Sequence, residues 1–215
     1  MSFLNNRFIE ALEKIADMFL LSVLWLICCI PIITIGTSTI ALYYATVKVV
    51  RRETGNLFQE FFRGFRQNIR QGVLLEVIYI IVGGLLYVAH RFALLAGLTS
   101  MVGKAYYIFS FVILLFLLCV TAYLIPVISR FTLSLFSAFR LALAFSMGNL
   151  KTLIPLLFTA IGAVAVIYVF PPALLMIPSA YYYLLSFSVE KVLTGYIKTD
   201  MPDAGEHEGM WYMEE

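Results

Sequence analysis

The residues best suited to chemistry are one carboxylate and one run of small polar residues, all within apolar segments. Glu76 is the only carboxylate well inside an apolar run, where ionisable groups are costly and commonly mark a proton or ion pathway. The polar run follows Pro31 and comprises Thr34, Gly36, Thr37, Ser38 and Thr39. A helix broken at a proline exposes backbone amides and carbonyls that can hold an ion or a sugar hydroxyl. These residues therefore predict a ligand site for a small solute.

Each of these features also has a purely structural interpretation. An ion pair between Glu76 and Arg66 or Arg70, near the membrane interface, would account for the carboxylate. Small residues recur every four positions from Thr37, a pattern typical of tight helix packing in membranes. The sequence leaves both interpretations open.

A third feature is an amphipathic stretch with aromatic residues on one face and bases on its flank. The residues predicted to bind a partner protein or lipid headgroups are Phe61, Phe62, Arg63, Phe65, Arg66 and Arg70. Such a distribution suits the boundary between acyl chains and anionic headgroups. The stretch therefore predicts either a docking surface or a membrane-surface anchor.

Enzyme chemistry is not predicted. The two histidines, His90 and His207, lie far apart in the sequence, and no metalloprotease, serine hydrolase or nucleotide-binding motif is present. The three cysteines lie in apolar runs without CxxC spacing, which predicts neither disulfides nor a metal site. We expect no catalytic residues, no metal and no cofactor.

The composition defines the class of protein to which these residues belong. Of the 215 residues, 62% are hydrophobic and 13% are charged, against about 25% charged in soluble domains. A soluble domain of this size cannot bury so much apolar side chain. The composition excludes a soluble enzyme, a disordered protein and a disulfide scaffold, and it gives no reason to expect nucleic-acid binding. It predicts an all-α, polytopic membrane protein embedded in the lipid bilayer.

Five apolar segments are long enough to be predicted as transmembrane helices. They are residues 18–47, kinked at Pro31, and residues 72–89, 105–128, 152–170 and 173–189. Amphipathic helices at the interface are predicted for residues 4–19, 58–70 and 131–147. The membrane domain is predicted to comprise residues 1–199, and residues 200–215 to form an acidic, disordered tail.

The basic residues predict the orientation. With five spans, one side carries 11 Lys and Arg and the other carries 4, so the first and third loops and the C-terminus should be cytoplasmic. The N-terminus would then lie outside. Alternatively, residues 18–47 enter and leave by one face around Pro31, which places the N-terminus inside and gives a split of 13 against 2. Each arm of that hairpin would be short for a full span.

Two segments of the chain resemble each other. Ile30-Pro31-Ile32-Ile33 is similar to Ile125-Pro126-Val127-Ile128, and each is followed by an aromatic amphipathic stretch and a new apolar segment. This similarity predicts a parallel internal repeat.

Several motifs resemble those of the YesL-like family, DUF624. They are Pro31-Ile32-Ile33-Thr34-Ile35-Gly36 with Thr39-Ile40-Ala41-Leu42-Tyr43-Tyr44, then Phe61-Phe62-Arg63-Gly64-Phe65-Arg66-Gln67-Asn68, and finally Glu190-Lys191. Val189 stands where the family's ending has Phe. The resemblance extends over roughly residues 5–195.

That family consists of small polytopic proteins of bacterial membranes, commonly encoded beside sugar-uptake transporters, glycoside-degrading enzymes and two-component sensors. The resemblance implies a non-enzymatic accessory or scaffold role in carbohydrate uptake or its regulation, with a sugar transporter or a sensor as partner, in the bacterial cell membrane. It supplies no catalytic residues. The alternative function is a small-solute transporter or channel with a polar site near Pro31 and Thr34 to Thr39.

Overall fold

The fold was obtained as a computed structural model that describes residues 2–95, 100–131 and 133–200, with side chains from residue 9 to residue 196 within these ranges. The described residues form α-helices without a β-strand, which confirms the predicted all-α polytopic class. The helices are α1 (Ser2–Cys28), α2 (Ile35–Ala45), α3 (Leu57–Leu95), α4 (Met101–Arg130), α5 (Leu135–Gly148), α6 (Leu150–Val169) and α7 (Ile177–Asp200). Beyond Asp200, the predicted acidic tail lies outside the described residues.

Apolar helices dominate because a backbone in lipid must satisfy its polar groups within its own segment. Within the described residues, four helical stretches are long and apolar enough to cross a membrane: Ile32–Arg51, Leu57–Leu95, Met101–Arg130 and Leu150–Val169. The predicted fifth span, 173–189, is not among them. The chain forms a 3₁₀ turn at Pro171–Leu175, and α7 then mixes apolar residues with serines, tyrosines and charged residues.

Residues 18–47 do not form one kinked span. Helix α1 ends at Cys28, the chain turns through residues 29–34, and α2 runs back antiparallel to α1. The indole nitrogen of Trp25 lies 3.2 Å from the hydroxyl of Thr39, so the two helices are in contact near the turn. The single kinked span is therefore wrong, because the chain reverses at residues 29–34. Entry and exit by one membrane face, as in the alternative, stays a prediction.

The open ends of this hairpin also meet. The ammonium of Lys14 on α1 lies 2.7 Å from the carboxylate of Glu53, just beyond α2, and this hydrogen bond raises the pKa of Lys14. The hairpin is possible because the predicted interfacial helix of residues 4–19 is continuous with the first apolar segment. Helix α1 thus has 27 residues, about 40 Å at 1.5 Å per residue, rather than a short arm.

Helix α2 is the centre of the fold. Ile40 and Tyr43 are fully buried, and α2 packs antiparallel along the first half of α3. The second half of α3 packs against α4, where the hydroxyls of Tyr79 and Thr121 are 2.7 Å apart. The α3 helix therefore connects the α1–α2 hairpin to a second hairpin made by α3 and α4.

Helix α7 crosses the other side of the bundle. Near its start, the hydroxyl of Ser179 accepts a hydrogen bond from Ser22 on α1, at 2.9 Å. Near its end, the ring of Tyr196 packs edge-on against Phe145 of α5, with 5.3 Å between ring centroids. Between these points α7 contacts α2 and α4, so it connects α1 to α5 across the bundle.

The two segments of the predicted repeat differ in structure. Pro31 lies in the turn between α1 and α2, whereas Pro126 lies inside α4. Helix α3 continues without a break from its amphipathic part into its apolar part, whereas Asn149 separates α5 from α6. The parallel repeat stays a prediction.

Candidate functional site

The hydroxyls at the two ends of the polar run stabilise the turn between α1 and α2. Thr34 donates to the carbonyl oxygens of Cys28 and Pro31, at 2.6 and 2.7 Å. Thr39 accepts from the indole of Trp25 and donates to a carbonyl of its own helix. These two hydroxyls are engaged within the fold.

The middle of the polar run forms a close contact between α2 and α3. A Cβ atom on Gly36 would lie 2.6 Å from the carbonyl oxygen of Gly72, so the two backbones approach as closely as glycine allows. Thr37 is fully buried, and its hydroxyl lies 3.4 Å from the carbonyl oxygen of Ile69. Ser38 is also fully buried, beside the thiol of Cys29. This geometry favours packing, since a solute path here would require α2 and α3 to separate.

Glu76 is buried against the start of α2 rather than paired with an arginine. Its carboxylate interacts with the backbone amide of Gly36, and one carboxylate oxygen lies 3.3 Å from where a Cβ of Gly36 would be. Amides in the first turn of a helix lack intrahelical partners and favour negative charge. No ion pair among the described residues includes Glu76. The predicted pair with Arg66 or Arg70 is therefore wrong. Neighbours on a helix face lie three or four residues apart, whereas Arg70 and Arg66 lie six and ten residues before Glu76.

The aromatic stretch divides into a buried and an exposed part. Phe61 is fully buried in the core between α1, α2 and α3, and its ring stacks on Phe65 with 6.5 Å between centroids. Phe65 is half-buried. Phe61 is thus a core residue, and its predicted role in binding a partner or lipid is wrong.

The exposed part forms a groove along the first half of α3, which we call the Phe/Arg groove. It has a volume of about 510 Å³ and is lined by Phe58, Gln59, Phe62, Arg63, Arg66 and Gln67. Phe58 and Phe62 keep 49% and 41% of their surface exposed. Arg66 is exposed, whereas Arg63 is half-buried and lies 3.2 Å from Glu60. Arg70 is exposed beyond the groove on the same helix.

A buried ion pair beneath the groove could not be predicted from the sequence. The ammonium of Lys48 lies 3.1 Å from the carboxylate of Glu60, and the two side chains are only 4% and 6% exposed. Lys48 belongs to a π-helical segment, Thr46–Arg51, that continues α2. The wider turn directs Lys48 towards α3 and Arg51 towards α7, where its guanidinium donates to the carbonyl of Ser186 at 2.7 Å. Such π-helical segments frequently occur at functional sites.

A second buried cluster joins three helices. Glu190 of α7 accepts hydrogen bonds from the Tyr43 hydroxyl of α2, at 2.9 Å, and from the Arg130 guanidinium of α4, at 2.7 Å. The Arg130 and Glu190 side chains are only 3% and 5% exposed. The one sequence signal for this cluster was the Glu190-Lys191 motif of the family resemblance.

Comparison with known proteins bears on the first part of the chain. Residues 18–89 match the family described as "Protein of unknown function, DUF624". Over these residues, about a third of the chain, the protein is similar to the DUF624 family. The matched segment contains the polar run, Glu76 and the Phe/Arg groove, and it confirms the resemblance to DUF624 for the motifs that lie within residues 18–89. No curated protein and no solved structure matches the chain.

Proposed function

We propose that this membrane protein is a non-enzymatic accessory or scaffold component that binds a partner protein through the Phe/Arg groove. The observation that carries the proposal is the exposure of Phe58 and Phe62 beside Arg66 on one helix face. Aromatic and arginine side chains dominate the binding energy of protein interfaces. The partner class is a sugar transporter or a sensor, which follows from the resemblance to the YesL-like family.

The base of the groove is tightly packed, which favours protein recognition. Fully buried Phe61 lies beneath it, and the Lys48–Glu60 ion pair fixes α3 against α2. The contact between Gly36 and Gly72 holds the same two helices farther along. Binding to a preformed surface loses less conformational entropy than binding to a mobile one. A groove with a tightly packed base is therefore suited to a scaffold role.

We further propose that the groove faces the cytoplasm of a bacterial cell. In the α1–α2 hairpin, Lys14 and Glu53 lie at one end, so the N-terminal segment and the first loop share one side. With that topology the predicted split of Lys and Arg is 13 against 2, and the basic side should be cytoplasmic. The same count predicts the C-terminal tail on this side, and that prediction requires α7 to cross the membrane.

The experiment compares two charge reversals on exposed Arg–Phe pairs. Arg66→Glu should abolish co-purification of a sugar-transporter or sensor subunit from native membranes, because it replaces the exposed guanidinium of the groove with a carboxylate one turn from Phe62. Arg140→Glu is the matched control, since Arg140 lies over the ring of exposed Phe136 on α5, at 5.7 Å. Equal recovery of the partner with both variants would contradict the proposal.

A transporter or channel is the second candidate, and the buried carboxylate of Glu76 at the start of α2 is the observation that favours it. Solute flux into proteoliposomes would have to depend on that carboxylate. Glu76→Gln keeps the shape of the side chain and removes its charge, so it should abolish flux if this function holds. The absence of flux with the unmutated protein would eliminate the transporter function.

A further inference from the structure

We propose that the cavity between the α5–α6 junction and α7 binds the phosphate of an anionic phospholipid. The cavity has a volume of about 630 Å³, within the range of about 300–1,000 Å³ that is usual for ligand sites. Its polar lining consists of Asn149, Thr152, Lys191 and Tyr196. The cavity shares no residue with the Phe/Arg groove, so this inference goes beyond the proposed function and does not rest on it.

Lys191 gives the cavity its positive charge. The side chain is exposed, and no ion pair among the described residues includes it. The carboxylate of the preceding Glu190 is bound elsewhere, by Tyr43 and Arg130. Residues 77–189 contain neither Asp nor Glu, so α5 and α6 bring no carboxylate to the cavity. The ammonium of Lys191 is therefore suited to an anionic ligand.

The first turn of α6 supplies neutral donors on the other wall of the cavity. Backbone amides in a first turn lack intrahelical partners and favour a phosphate group. The side chain of Asn149 caps none of them and instead donates to the carbonyl oxygen of Phe145, at 3.3 Å. Thr152 adds a hydroxyl, and the fully buried hydroxyl of Tyr123 lies beside it. One ammonium with amide and hydroxyl donors is the donor set that a phosphate requires.

The position of the cavity favours a lipid over a soluble phosphate compound. Helix α6 is long and apolar enough to cross a membrane, and its 20 residues extend over about 30 Å, the thickness of the hydrocarbon core. A helix that spans this core begins at the level of the headgroups, where the cavity lies.

The surroundings of the cavity also match the two parts of a phospholipid. Exposed Leu184 lies two turns before Lys191 on the same face of α7, so acyl chains can extend along α7 from a headgroup held at Lys191. The count of Lys and Arg predicts the start of α6 on the cytoplasmic side, and the cytoplasmic leaflet carries the anionic lipids.

Two matched pairs of variants test the proposal by native mass spectrometry of the full-length protein titrated with phosphatidylglycerol. A Cβ atom on Gly195, which lines the cavity, would meet no atom of the described residues within 4 Å, and the same holds for Gly148 outside the cavity. Gly195→Leu should therefore fill the cavity and abolish binding of phosphatidylglycerol. Gly148→Leu should leave binding unchanged.

The second pair tests the charge. Lys191→Gln should weaken binding of phosphatidylglycerol about fivefold, the contribution of one lysine at an anionic surface. Lys151 is also exposed and does not line the cavity, so Lys151→Gln should leave the affinity unchanged. The unmutated protein should prefer phosphatidylglycerol to phosphatidylcholine, and Lys191→Gln should remove this preference.

Three outcomes would overturn the proposal. Equal affinity of the unmutated protein for both lipids, or an equal loss with Lys191→Gln and Lys151→Gln, would show no specific site. Displacement of phosphatidylglycerol by millimolar inorganic phosphate would assign the cavity to a soluble phosphate compound. Circular dichroism must show the same helix content in all variants, and if Gly195→Leu changes it, the two lysine variants decide the question.

Discussion

The contact between Gly72 and Thr37 allows a quantitative prediction for Gly72→Ala. A Cβ atom on Gly72 would lie 2.5 Å from the Cα atom and 2.7 Å from the backbone nitrogen of Thr37. Both are backbone atoms of a buried helix, so no side chain can rotate away. The added methyl group must therefore push α2 and α3 apart.

The size of the effect follows from the displacement. Ordinary contact begins near 3.4 Å, so the helices must separate by about 0.9 Å, and a gap of 0.5–1 Å loses a quarter to a half of each dispersion contact. Overpacking of this kind costs about 1–3 kcal/mol. Because Ala is favoured over Gly in a helix by about 0.5–1 kcal/mol, a net loss of about 1–2 kcal/mol is expected.

Gly83 provides the matched control on the same helix. A Cβ atom there would have no neighbour within 4 Å, so Gly83→Ala should be neutral or stabilise by up to about 1 kcal/mol. The assay is reversible unfolding in mixed micelles, followed by helical circular dichroism. If Gly72→Ala is as stable as Gly83→Ala, the close packing of α2 on α3 is incorrect.

Three further predictions concern ion pairs and topology. Glu190→Ala should lower the free energy of unfolding by about 3–5 kcal/mol, since it leaves Arg130 buried without its carboxylate. If Glu190→Ala causes the same loss of stability in a protein that already carries Arg130→Met, the pairing is refuted. Glu60→Ala should also destabilise strongly in the same unfolding assay, whereas Glu53→Ala, whose side chain is 65% exposed, should change stability by less than about 1 kcal/mol. Single cysteines replacing Lys14 and Glu53 in a cysteine-free protein should react alike with an impermeant thiol reagent in intact cells, and labelling of only one would refute the α1–α2 hairpin.

The sequence was sufficient for the class of fold but not for the path of its first helices. Apolar length and the missing charges predicted membrane helices, and the periodic phenylalanines predicted an amphipathic helix before Gly72. The single span at residues 18–47 was wrong because hydropathy alone cannot distinguish a kink at Pro31 from a reversal. The reversal is stabilised by contacts between residues distant in sequence, such as Lys14 with Glu53.

The candidate site could be predicted only in part, for a similar reason. The sequence predicted that Phe58, Phe62 and Arg66 lie on one amphipathic helix. It could not show that Phe61 of the same helix is fully buried in the core beneath them. The partner of Glu76 was missed because a backbone amide has no signature in the sequence. The Arg130–Glu190 pair was missed because the packing of α7 across the bundle brings together residues 60 positions apart.

Site-specific photo-crosslinking in native membranes tests the central claim most directly. A photoreactive benzoylphenylalanine in place of Phe62 reports on whatever occupies the Phe/Arg groove, and the same group in place of Phe136, which is 71% exposed on α5, is the control. Our account predicts that position 62 forms covalent adducts with a sugar-transporter or sensor subunit and that position 136 does not. Adducts with lipid alone at position 62, or equal protein adducts at both positions, would contradict it.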